Sequence, residues 1–258
     1  MLKIHYLGTC SGTEPMPDMH HCSWVLETEY GNYWFDAGEN CAHRAYTSGI
    51  DTQATRALFV SHPHIDHIGG LANLLFCMGK LISRNKAYLI GDNTLDIFFP
   101  DQNRLDAIKT VAGGKFQFNL REHGLSDGLL FQDEKVKVSA LHNRHMREDG
   151  SNGWHSFSFL IESENKRLVF SGDVLTPAEL DDLIGSGCDL LIMETGHHAV
   201  KDVCEYAVSR NVKSLRFNHH GREILEGREA AQKLIDSYAS EYNISIKLCY
   251  DGMTECFN

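Results

Sequence analysis

The segment Ser61-His62-Pro63-His64-Ile65-Asp66-His67-Ile68-Gly69-Gly70 constrains this chain more than any other stretch. It puts three imidazoles and one carboxylate into six residues, directly behind the apolar run Ala57-Leu58-Phe59-Val60. A short apolar run closed by polar residues reads as a buried strand, and the His-rich segment as the loop that leaves it. His62 and His64 stand two apart, so in an extended loop both rings point the same way. Asp66 and His67 follow, where Ile68 to Met78 turns helical. Imidazole and carboxylate are the ligands taken by zinc and other borderline divalent cations.

The rest of the composition narrows the class. A chain of 258 residues, 42% hydrophobic and 23% charged, reads as one globular domain over 1–258. No apolar run is expected to span a bilayer. The start, Met1-Leu2-Lys3-Ile4-His5-Tyr6, reads as a strand and lacks the apolar core of a signal peptide. The eight Cys are scattered without a CxxC pair and read as reduced thiols of a cytoplasmic protein. Cys10 and Cys22 fall in a loop that borders the candidate site, where a metal-proximal thiol is an open alternative. The net charge of −11 weighs against a broad nucleic-acid footprint, which needs clustered Lys and Arg.

Strands are expected at Lys3–Leu7, Ser23–Glu27, Tyr33–Phe35 and Leu58–Val60, with a helix on the Leu71-Leu75-Met78 stripe. The middle, Ala87 to Gly128, reads as a short strand mixed with helices. A second strand series follows at Lys135–Leu141, Phe157–Ile161 and Arg167–Phe170. Helix and strand then alternate. Thr176-Pro177-Ala178-Glu179 is a helix start, with Thr as cap and Glu three residues on. Leu190–Met193, Ser214–Phe217 and Ile244–Leu248 are strands, and Val200–Ser209 and Glu223–Ala239 are helices. Two β-rich halves with helices outside imply two sheets covered by helices.

Several of these residues resemble the metallo-β-lactamase superfamily, and within it the ribonuclease Z-like phosphodiesterase branch. The resemblance is carried by Leu7-Gly8-Thr9-Cys10-Ser11-Gly12, Phe35-Asp36-Ala37-Gly38-Glu39 and the His-x-His-x-Asp-His box at 62–67. It continues through Ser171-Gly172-Asp173, Glu194-Thr195, Asn218-His219 and Asp251-Gly252-Met253. It implies an α/β fold, the αββα four-layer sandwich. It also implies two divalent metal ions, zinc first, with manganese or iron as alternatives. Two such ions about 3.5–4 Å apart can clamp an attacking and a leaving oxygen.

In that pattern His62 and His64 hold the first metal, and Asp66 and His67 the second. The first metal needs one more imidazole near the end of the Val136–Leu141 strand, where His142 and His145 compete; the family's spacing from Ala140 favours His145. Asp173 matches the carboxylate that bridges both metals, and His219 the last imidazole. His220 is its rival, because adjacent side chains off a strand point opposite ways. Glu194 matches a Glu behind the ligands, but Met193 stands where ribonuclease Z often has His. His197 or His198 either replaces that imidazole or is a surface pair. Asp36 reads as a support for a ligand His through its free ring nitrogen.

The expected activity is hydrolysis by metal-bound hydroxide, with Asp66, Asp173 and Glu194 as catalytic carboxylates. A small phosphodiester such as a cyclic nucleotide or sugar phosphate is the leading substrate class. Hydrolysis of a lactone, thioester or β-lactam, or a metal-binding sensor with little turnover, are the alternatives. The acidic charge and the lack of a clear Gly-Pro-rich arm argue against tRNA as a partner. No membrane association is expected, and a homodimer remains open.

Overall fold

The computed structural model describes residues 2–146 and 153–257. The chain forms two compact units, Met1–Leu125 with Tyr250–Asn258, and Ser126–Cys249. Each is built on one seven-stranded mixed sheet.

Unit 1 contains β1 (Leu2–Gly8), β2 (Ser23–Thr28), β3 (Gly31–Phe35), β4 (Thr55–Phe59), β5 (Thr94–Phe98), β6 (Asn119–His123) and, from the far end of the chain, β14 (Thr254–Phe257). The order is β14-β1-β2-β3-β4-β5-β6. The pairs β14/β1, β1/β2 and β2/β3 are antiparallel; β3/β4, β4/β5 and β5/β6 are parallel. Its helices are α1 (Cys41–Thr47), α2 (Ile65–Ile68), α3 (Leu71–Asn85), the single turn α4 (Ile90–Asn93) and α5 (Gln102–Val111).

The alternation of side chains along a strand divides the labour of this sheet. Val25, Trp34, Leu58 and Ile97 pack with the α3 stripe Leu71, Leu74, Leu75, Met78 and Ile82 in one core cluster. On the other face the register aligns Trp24, Phe35, Phe59, Phe98 and His123. These rings stack in sequence at 4.2, 5.1, 4.8 and 4.5 Å between centroids. Each fully buried apolar side chain of this kind stabilises a fold by about 1.5–3 kcal/mol. The strand ends at β3 and β4 are therefore held rigidly.

Unit 2 contains β7 (Gly128–Gln132), β8 (Val136–His142), β9 (Phe157–Ser163), β10 (Lys166–Phe170), β11 (Leu190–Glu194), β12 (Ser214–Asn218) and β13 (Ser245–Leu248). They pair in the order β13-β12-β11-β10-β9-β8-β7. Strands β7 to β10 form an antiparallel meander, and β10 to β13 are parallel. Helices α6 (Asp181–Ile184), α7 (Val200–Ser209) and α8 (Arg222–Tyr242) complete the unit. Val203, Ala207, Ile224 and Ile235 of α7 and α8 share a core cluster with Leu191, Met193, Leu215 and Phe217 of the sheet.

Most expected elements are present within two or three residues of their expected ends. The middle of the chain differs: it holds two strands, β5 and β6, and the chain then enters a third, β7, at its edge. The Thr176 start opens a 3-10 turn, Pro177–Leu180, before α6. One 21-residue stretch, Ile65–Asn85, reaches the length and mean hydropathy of a membrane crossing, contrary to the expectation from sequence. It is α2 followed by α3; it carries Asp66 and His67, and its apolar stripe lies in the core. Among the described residues none of the eight Cys is in a disulfide.

Candidate metal site

In unit 1 the His-rich loop leaves β4 as expected, and its geometry follows from how β3 ends. Asp36 takes a left-handed conformation, φ 58°, which Asp tolerates better than most residues. That turn aims its carboxylate at the next strand's exit. Oδ1 accepts from the Ser61 amide at 2.7 Å, and Oδ2 from the Ser61 hydroxyl at 2.8 Å. The His67 Nδ1 lies 2.7 Å from Oδ2, with both side chains fully buried. An imidazole bound in this way has its tautomer fixed and its Nε2 made more basic toward a cation. Main-chain bonds stitch the two exits together, Ala37 N to His67 O at 2.7 Å and Gly70 N to Ala37 O at 2.8 Å.

His62, His64, Asp66 and His67 are brought together. The His62 Nε2 lies 3.0 Å from the His64 Nδ1, and the His67 Nε2 lies 3.3 Å from Asp66 Oδ2. His62 and His67 are fully buried and Asp66 nearly so. The Arg104 guanidinium donates to the Pro63 carbonyl at 2.6 Å and steadies the loop between the two His. Cys22 joins Asp36 and His67 in a group of ligand atoms lying within 4.8 Å of one another.

The motif at the start of the chain and the one near its end form a single local arrangement in this unit. The Asp251 carboxylate accepts from the Thr9 amide at 2.9 Å, the Thr9 hydroxyl at 2.8 Å and the His20 amide at 2.7 Å. Gly12 stands against Asp66: a Cβ there would lie 2.9 Å from the Asp66 Cγ and Oδ2. A side chain at this position would force the Asp66 carboxylate to shift.

In unit 2 the functional side chains come from four strand exits. Asp173 follows β10, Glu194 ends β11, His219 follows β12 with φ 50°, and His145 follows β8. Asp173 Oδ2 lies 3.6 Å from the His145 Nε2, and its Oδ1 lies 3.4 Å from the His219 Nδ1. Asp173, Glu194, His197 and His219 present ligand atoms within 4.8 Å of one another.

The two contested pairs separate clearly in space. The His142 Nδ1 lies 2.7 Å from Asp127, and its ring stacks on Trp154 at 4.2 Å. His145 is the one beside Asp173. Its loop is anchored by Glu179, whose Oε1 accepts from the Arg144 amide at 3.0 Å and its Nε at 2.9 Å. The fully buried His220 reaches the Cys249 carbonyl at 2.9 Å, and burial pushes its imidazole down to about 4. His219 is the one beside Asp173.

Glu194 is a hub. Its carboxylate accepts from the Val174 amide at 3.2 Å and the His197 amide at 2.9 Å, with the His197 Nδ1 at 3.0 and 3.1 Å. Burial raises the carboxyl, but hydrogen bonds from His197 and His219 outweigh it and hold the group below the ordinary range. The same bond to Glu194 raises His197. His197 is thus paired with Glu194, and His198 sets its Nε2 3.0 Å from the Val174 carbonyl and 3.4 Å from Glu194 Oε1. The three-residue spacing from Glu194 was the available signal for His197. For Asp251 and Gly12 there was only motif resemblance.

The donor set of each unit, imidazoles and carboxylates with one thiol nearby, fits a borderline divalent cation. A mixed-sheet fold with such side chains at its strand exits is the metallo-β-lactamase fold, and the chain is similar to ribonuclease Z. The metallo-β-lactamase fold protein YhfI from Bacillus subtilis is similar over 98% of both chains, with a TM-score of 0.76 at 15% identity. The short form of human tRNase Z is similar over 99% of both chains, with a TM-score of 0.73 at 19% identity. The ribonuclease Z of Shouchella clausii is 29% identical over 180 residues, 67% of this chain and 52% of the relative. The chain thus spans about half the length of the curated relatives it matches. A family model described as anti-Pycsar protein Apyc1 matches residues 2–220, and the chain belongs to that family.

Proposed function

We propose that the protein is a metal-dependent phosphodiesterase acting on a small phosphodiester, such as a cyclic nucleotide or sugar phosphate. His62, His64, Asp66, His67, His145, Asp173 and His219 supply the ligands of two divalent metal ions, zinc first. The observation that carries the reading is Asp173. Its two oxygens face two different imidazoles, at 3.6 and 3.4 Å, as a carboxylate shared by two cations requires. When bound, the metals polarise a phosphoryl oxygen and lower the pKa of water.

The chain's own residues do the rest. Asp36 holds the His67 proton on Nδ1 and leaves Nε2 as the ligand atom. Glu194 holds the His197 ring by its Nδ1. The side chain of His197 is 44% exposed, so it can hand a proton to a leaving oxygen while Glu194 stabilises the charged ring. Asp66, Asp173 and Glu194 are the carboxylates of the mechanism.

A net charge of −11 supports a small substrate, since a long polyanion gains affinity by releasing counterions to Lys and Arg. Cleavage of RNA is the second reading, favoured by the ribonuclease Z relatives. Elemental analysis of gently purified protein should find close to two divalent metals per chain. Metal-loaded protein should hydrolyse bis-p-nitrophenyl phosphate and a cyclic mononucleotide at low and moderate salt, and leave precursor tRNA intact. Efficient tRNA cleavage with weak turnover of the small diesters would move the assignment to RNA. Protein that takes up no metal at micromolar supply would end both readings.

A further inference from the structure

We infer that Asp251 is a positioning residue for the Asp66 carboxylate, acting through the loop between Thr9 and His21. The inference rests on the proposed function in one respect, that Asp66 is a metal ligand.

The loop is closed at its neck by one side chain. Asp251 Oδ1 binds the amide and hydroxyl of Thr9, and Oδ2 binds the amide of His20, at 2.7 to 2.9 Å. Beside this clamp the Cys10 amide donates to the His20 carbonyl at 2.9 Å, and Cys10 and His21 form an isolated bridge. The loop is also tied to the segment behind β3, where the His20 Nδ1 lies 2.9 Å from Glu39 Oε1. Pro15 and Pro17, within the loop, offer no amide hydrogen for further main-chain bonds. Inside the loop the His21 Nε2 lies 3.4 Å from the Thr13 carbonyl, and the neck fixes where residues 11–19 leave and re-enter the unit.

What the neck places is Gly12. Its Cα is close enough to Asp66 that an added Cβ would fall 2.9 Å from the carboxylate. Gly12 thus forms one wall of the space in which the Asp66 side chain sits, and a shift of the loop widens that wall. A widened wall lets the carboxylate rotate away from the His67 Nε2, now 3.3 Å distant.

A carboxylate suits this role because it accepts at both oxygens and donates at neither. An amide in its place would point its NH2 at one of the donors and open that side of the neck. Burial raises the Asp251 carboxyl above its ordinary value in spite of the bonds from Thr9 and His20.

The test compares Asp251→Asn with Glu255→Gln. Glu255 lies on the same terminal segment and accepts from the Tyr6 hydroxyl at 3.2 Å, so its variant loosens that segment without touching the loop. In metal-free protein, amide exchange at Thr9 and His20 should be faster in Asp251→Asn and unchanged in Glu255→Gln. Zinc binding, measured against a chelator buffer, should weaken by about 10- to 100-fold in Asp251→Asn only. On bis-p-nitrophenyl phosphate, kcat should fall with KM near the wild-type value. An Asp251→Asn protein with a lower Tm but wild-type exchange and zinc affinity would reduce Asp251 to a structural role and overturn the inference. If that variant does not fold, Thr9→Val removes only the hydroxyl's bond and should shift zinc affinity the same way, by less; no shift overturns the inference equally. A wild-type protein that binds zinc and hydrolyses no phosphodiester would defeat the proposed function, while the exchange and affinity comparison still decides on Asp251.

Discussion

The two units assemble ligand-type side chains by opposite routes. Unit 1 draws His62, His64, Asp66 and His67 from the loop and the first helical turn behind one strand. Unit 2 collects His145, Asp173, Glu194 and His219 from the exits of four strands. A local set depends on the conformation of a few residues and on one supporting carboxylate, Asp36. A dispersed set depends on strand register: Glu194 lies opposite Asn218 in the parallel pair β11/β12, and Phe170 opposite Ile192 in β10/β11. Damage to the first should therefore act through the loop, and damage to the second through its own shared carboxylate.

The largest expected effect tests the dispersed set. Asp173→Ala removes the group that faces both His145 and His219. Phosphodiester hydrolysis should fall about 10^3-fold or more, since metals contribute several kcal/mol of charge stabilisation. Metal content should fall with it, and His145→Ala should show the same pattern. Retention of both metals in Asp173→Ala would mean that unit 2 does not depend on its shared carboxylate.

A smaller effect is expected at the local set's support. Asp36→Ala leaves His67 in place but frees its Nδ1 and the two Ser61 donors. Metal affinity should drop about 10- to 100-fold. Glu194→Gln should instead act mainly on kcat and cost less affinity than Asp36→Ala, because Glu194 divides its carboxylate between His197 and the proposed ligand His219. Equal loss of affinity in both variants would erase the contrast between the units.

The smallest effect is at His142. Its ring stacks on Trp154 and bonds Asp127, so His142→Ala should cost about 1 kcal/mol of stability or less in urea unfolding and leave hydrolysis near wild type. Loss of metal there would show that the exit of β8 is used in a different register from the one proposed.

Legibility followed the same division. The box at 62–67 could be read directly because its residues are neighbours in sequence. In unit 2 the sequence narrowed two ligands to pairs, His142 or His145 and His219 or His220, but the pairing of strands decides which ring faces Asp173. Elements stabilised by distant partners escaped notice. Strand β14 pairs with β1 from the opposite end of the chain. Helix α1 starts at Cys41 behind Asn40, whose side chain makes no capping bond. The clamp of Asp251 on Thr9 and His20 is illegible for the same reason: its two halves lie 242 and 231 residues apart in sequence.

The parallel pairing of β10, β11 and β12 also has a kinetic side. Parallel neighbours can register only after the chain between them has doubled back, and such non-local closure slows folding. In a refolding chain the box at 62–67 is a nascent chelator from the start, while Asp173, Glu194 and His219 align late. Under the proposed assignment, a divalent cation present during refolding would meet the candidates of unit 1 before those of unit 2 are aligned. Recovery of full metal stoichiometry should follow the slowest folding phase, and an excess of zinc at early times should delay it.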